Sequence, residues 1–96
     1  MSEGASQGKA YRAGIQVTLK PSVLDPQGAA VAGALGKLGF EGVADVRVGR
    51  YVELRLVAPD EAAARASVER MCETLLANLV IERYAFSLTA DTEGVG

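Results

Sequence analysis

Ninety-six residues, 49% hydrophobic with five aromatics and no tryptophan, allow one domain with a modest core of Val, Leu, Ile and Ala. A net charge of −2 without a basic block argues against nucleic acid, whose phosphates need clustered Lys and Arg, and against an anionic membrane surface. Histidine is absent, which removes the commonest general base and transition-metal ligand, and one cysteine cannot form an internal disulfide, which fits a reducing cytoplasm. No run approaches a transmembrane span, and no signal-peptide pattern opens the chain. A core this thin gains stability by burying further surface in an oligomer.

Residues 1–9 are rich in Ser, Gly, Ala and Gln without periodicity and read as a disordered leader; residues 90–96 read as a flexible tail. One domain is expected between them, over residues 10–89. Tyr11, Ala13, Ile15, Val17 and Leu19 alternate with polar or small residues, the pattern of a half-buried strand that Pro21 stops. Asp25 is placed to cap a helix and Pro26 to occupy its first position. Val31, Leu35 and Leu38 make one helical stripe, and Gly39 supplies the left-handed residue that ends it. Gly33 and Gly36 weaken that helix, unless close approach of another backbone compensates.

Val46, Val48, Val52, Leu54 and Leu56 then share one parity, interrupted at Gly49-Arg50. The break is a hairpin turn or a bulge in one bent strand, and two strands are the favoured reading. Pro59-Asp60 opens a second helix with the stripe Ala64, Val68, Met71, Cys72, Leu75, and Asn78 is a candidate left-handed stop. The last strand is expected at about residues 80–89. The order β-α-β-β-α-β predicts an α+β, ferredoxin-like antiparallel sheet with two helices on one face. Gln16, Thr18, Arg47, Glu53, Arg55, Arg83 and Ser87 fall on its open face.

Candidate chemistry is sparse. Cys72 lies in an apolar stripe with no base beside it and reads as core. Asp25 and Asp60 read as caps, and no ligand cluster suggests a metal. Lys20, Arg47 and Arg50 gather near the first helix start, where a phosphate is imaginable. Asp25 would repel it there, so surface charge or a partner contact fits better. Base stacking on the sheet would need exposed aromatics, and the central strands offer Tyr51 alone. The residues by themselves describe an assembly or regulatory module.

The chain carries the strings Val17-Thr18-Leu19-Lys20, Val23-Leu24-Asp25-Pro26-Gln27-Gly28, Asp45-Val46-Arg47-Val48-Gly49-Arg50-Tyr51, Glu53-Leu54, and Leu75-Leu76-Ala77-Asn78 followed by Val80-Ile81-Glu82. In their order and spacing, from about Tyr11 to Leu88, it resembles the PurS family, the small subunits of bacterial phosphoribosylformylglycinamidine synthase. Leu79 stands where the family usually has proline. The resemblance implies a non-catalytic subunit of the purine-biosynthetic enzyme that turns formylglycinamide ribonucleotide, ATP and glutamine into formylglycinamidine ribonucleotide. It implies a large synthetase subunit, which uses the ATP and Mg, a glutaminase subunit, and self-association. This chain would bind no cofactor and would bridge its partners for ammonia transfer. Lys20, Asp25, Pro26, Gln27, Gly28, Arg47, Gly49, Arg50 and Tyr51 are the expected subunit contacts. The competing readings are a free-standing module that binds a small ligand between protomers, and an independent enzyme.

Overall fold

A computed structural model describes residues 8–91. Along them run β1 (Lys9–Leu19), α1 (Pro26–Lys37), β2 (Arg50–Ala58), α2 (Glu61–Met71), a π-helical turn (Cys72–Leu76) and β3 (Glu82–Ala90). The leader and tail read at 1–9 and 90–96 lie mostly outside the described residues. Their inner ends belong to the sheet, with Lys9 opening β1 and Ala90 closing β3.

The central strand is β1, antiparallel to both neighbours in the order β2-β1-β3. Ile15 stands opposite Val52 on β2 and Phe86 on β3, so the apolar parities of all three strands share one face. Helix α2 covers that face. Val68 and Cys72 cluster with Ala13, Ile15 and Val17, while Ala64 joins Tyr11 and Ala58 at the other end. Each fully buried Ile or Val contributes about 1.5–3 kcal/mol relative to exposure.

The α+β class and the antiparallel sheet agree with the sequence; the strand count does not. The described residues hold three strands, because residues 43–49 form no ladder and the chain enters β2 only at Arg50. Two local causes act. Asp45 takes a left-handed φ of 61°, which breaks an extended run. The Val48 N–H then donates to the Asp25 carboxylate at 2.9 Å, so it is not available to a neighbouring strand. The hairpin at Gly49-Arg50 is therefore replaced by a single strand with a non-ladder approach.

One helix, not two, packs on the sheet. In α1 only Gly28 is buried; Val31 and Leu38 of its stripe are exposed and Leu35 is half-buried. Asp25 caps the helix and Pro26 sits in its first turn, as read. Gly39, at φ 94°, ends it: the Phe40 N–H reaches Leu35 O at 3.0 Å and the Gly39 N–H reaches Gly36 O at 3.0 Å, the paired closure a left-handed residue permits. Among the described residues outside the helix itself, nothing lies within 4 Å of a β carbon placed at Gly33 or Gly36, so no described neighbouring backbone offsets their cost. The Cα extents of 57 × 31 × 16 Å reflect this projecting arm.

Helix α2 is capped by Asp60, whose carboxylate accepts from the Ala63 N–H at 2.8 Å. Its end departs from expectation. The π turn closes with the Ala77 N–H on Cys72 O at 3.0 Å, and Ala77 leaves in an extended conformation. The wider turn rotates the final residues, so Leu76 packs into the core and Leu75, placed on the stripe by 3.6-residue periodicity, is 81% exposed. Asn78 is not left-handed. Its side-chain oxygen accepts from the Val80 N–H, and β3 starts at Glu82 rather than residue 80.

Candidate interaction site at the base of the first helix

The string around Asp25 folds back on the approach to β2. One Asp25 oxygen accepts from the Gly28 N–H at 2.8 Å and the other from the Val48 N–H at 2.9 Å. These donors, Gly28 first, hold the carboxyl below its ordinary pKa against the opposing cost of its burial, and Arg47 helps. Gly28 lies so close to the Val46 carbonyl that a β carbon would collide with it. Arg47 completes the clasp by donating to Val23 O at 2.8 Å and Pro21 O at 2.9 Å. Arg47 therefore stands beside the turn and not on the open sheet face where parity had put it.

A second clasp lies across the same end of the sheet. Arg50 donates twice to Glu82, at 2.9 and 3.0 Å, and to Leu76 O at 2.6 Å, while Glu82 also accepts from the Asn78 N–H. The paired hydrogen bonds raise the Arg50 pKa and lower that of Glu82. The Lys20 N–H ties the first turn to Ile81 O at 2.9 Å. Between the clasps lies a cleft of about 340 Å³, walled by Asp25, Pro26, Gln27, Gly49, Arg50 and Glu82.

All the expected contact residues except Tyr51 gather at this end of the molecule. Tyr51 lies on the open sheet face, 57% exposed, with its ring across Gly14 of the central strand. The cleft is poorly suited to a phosphate. Asp25 and Glu82 line it, and Arg47 and Arg50 spend donors on carbonyls and a carboxylate. Among the described residues no group of three His, Cys, Asp or Glu could hold a metal ion. Cys72 is buried and its pKa is raised by desolvation, so its thiol is poorly placed to act as a nucleophile.

Two features went unread in the sequence. Asp91 is buried at the end of β3 and bridges Arg12 at 3.4 Å and Arg55 at 2.8 Å. Those arginines face each other across β1 and β2, a like-charge pair that calls for such a counter-ion. The second is apolar exposure. Leu38 at 73%, Phe40 at 57% and Val43 extend the uncovered stripe of α1. Phe40 and Val43, apolar residues just past the Gly39 stop, were the available signal.

The family model described as "PurS: Phosphoribosylformylglycinamidine (FGAM) synthase" matches residues 12–90. The phosphoribosylformylglycinamidine synthase subunit PurS of Synechocystis is 54% identical over 85 residues, covering 88% of this chain and 85% of that one. The same subunit of Bacillus subtilis is 46% identical, covering 81% and 92%. The solved B. subtilis PurS superposes with a TM-score of 0.70 at 44% identity, covering 82% of this chain and 98% of that one. A chain in the structure of PurLQS from Thermotoga maritima superposes with a TM-score of 0.77 at 28% identity, covering 83% and 98%.

Proposed function

This chain belongs to the PurS family and is a subunit of FGAM synthase, and on that premise we propose that it acts as an architectural bridge, not as a seat of catalysis. The supporting observation is the pairing of an uncovered apolar arm with a site whose polar groups are spent on one another. In this reading ATP and Mg2+ serve the large synthetase subunit, the glutaminase subunit releases ammonia, and this chain carries no cofactor. Ammonia lost to water is protonated and no longer nucleophilic, so transfer needs a closed assembly. The small subunit helps to close it. Its working place is the cytoplasm, in keeping with one free cysteine and with the lack, among the described residues, of a helix long and apolar enough to cross a membrane.

Self-association is the second part of the proposal. Helix α1 exposes Val31 and Leu38. Leu54, Met71, Leu75 and Leu76 line a cleft of about 450 Å³ between α2 and β2, on the sheet face where the fold class leads one to expect a second helix. An arm from a second copy would cover that cleft and bury its own stripe, supplying the helix that this chain does not lay on its own sheet. Val31→Glu together with Leu38→Glu should lower the dimer fraction in sedimentation velocity while circular dichroism keeps the monomer's signature. An unchanged dimer would exclude the arm as the contact.

The deciding assay is glutamine-dependent synthesis by the cognate synthetase and glutaminase with and without this chain. Activity that appears only on its addition, from a chain inert alone, is the expected result. Equal activity in its absence would remove the bridging role.

A further inference from the structure

Helix α1 is held at its base and scarcely elsewhere, which gives one carboxylate leverage over the whole arm. Beyond its first turn the helix and the loop to residue 45 are mostly exposed. The base is tied by the two oxygens of Asp25, one on the helix at Gly28 and one on the approach to β2 at Val48. Capping a helix needs only the first of these bonds. The second crosses to a segment that leads directly into the sheet. Gly28 also lies against the Val46 carbonyl beside that carboxylate, so the same two backbones meet with no room for a side chain between them.

We infer that Asp25 is the positioning residue of the arm: its carboxylate locks the first turn of α1 to residues 46–48 and so fixes the direction in which the arm meets a second copy of the chain. This deepens the self-association proposed above and rests on it for the partner, though not for the lock. A helix presented at a fixed angle loses less freedom on docking than one that swings. Arg47 supports the lock by holding the preceding turn through Pro21 O and Val23 O. Asp25 touches no partner in this reading; it acts through the helix it aims.

Asp25→Asn separates the lock from the cap. Asparagine caps helices about as well as aspartate, but it has one acceptor oxygen, and its NH2 would face one of the two N–H groups. Spin labels at Ala30→Cys on α1 and Ser87→Cys on β3, in a Cys72→Ala background diluted with unlabelled chain, report the arm's direction as a distance distribution. The labelled parent should give a narrow distribution. Asp25→Asn should broaden it at least twofold and raise the dimer dissociation constant at least tenfold, with circular dichroism unchanged. Gly28→Ala forces the same contact apart without removing the carboxylate, and should also broaden the distribution. A distribution that stays narrow in both variants overturns the lock. Broadening with an unchanged dissociation constant overturns its link to association. A parent chain that stays monomeric sinks the self-association reading instead, and the label distances then decide the lock alone.

Discussion

At the residue scale, acidity and close packing set the testable behaviour. Asp25 and Glu82 both have lowered pKa values, by backbone donors in one case and chiefly by Arg50 in the other. A depressed carboxyl contributes its stability above the unfolded pKa and loses it as pH falls through the folded value. The two clasps should therefore persist from neutral pH to below about pH 4, where ordinary carboxylates protonate. The amide shifts of Gly28 and Val48, followed by NMR, should stay flat until then and move together; movement near pH 6 would contradict the assignment. Packing gives a ranking. Alanine at Gly14 meets the Tyr51 hydroxyl, the end of a side chain that can swing outward, whereas alanine at Gly49 meets the Val17 carbonyl. Urea denaturation should show Gly49→Ala as the more destabilising of the two.

At the element scale, the π turn decides which leucine matters. Leu76→Ala should cost about 2 kcal/mol, at the low end for a leucine that packs on the core, and Leu75→Ala within about 0.5 kcal/mol in the monomer. Reversed costs would mean that the helix keeps its ordinary pitch to the end. Ile15→Ala, in the fully buried centre of β1, should cost about 3 kcal/mol by the same measurement. The strands with one buried face, both N-caps and the Gly39 stop were legible because each is dictated by neighbours in sequence. The π turn was not, since it depends on how α2 meets β3 and shifts only the last residues. The missing fourth strand was not either. Val46 and Val48 carry strand parity, but a carboxylate twenty-odd residues earlier takes the hydrogen bond that a ladder would need. The residues expected as subunit contacts share a family string, but their places in the fold could not be read from it: Arg47 and Arg50 also brace loops of their own chain, and Tyr51 lies on the other face of the sheet.

At the scale of the whole molecule, the chain is a small sheet with one covering helix and one arm left bare. The apolar surface of α1 is local in sequence, yet none of the described residues covers it, and the composition showed this as a thin core and no more. Such a protomer should melt at a temperature that rises with its concentration, because association removes surface only from the folded state. A melting temperature independent of concentration from micromolar to millimolar would deny that coupling. The bare arm also bears on supply inside a cell. A copy left without a second copy keeps Leu38 and Phe40 in water and offers quality-control proteases a weakly anchored segment. Turnover would remove that copy and spare those already paired. The level of unpaired chain would then be held low, with no regulator other than the uncovered helix.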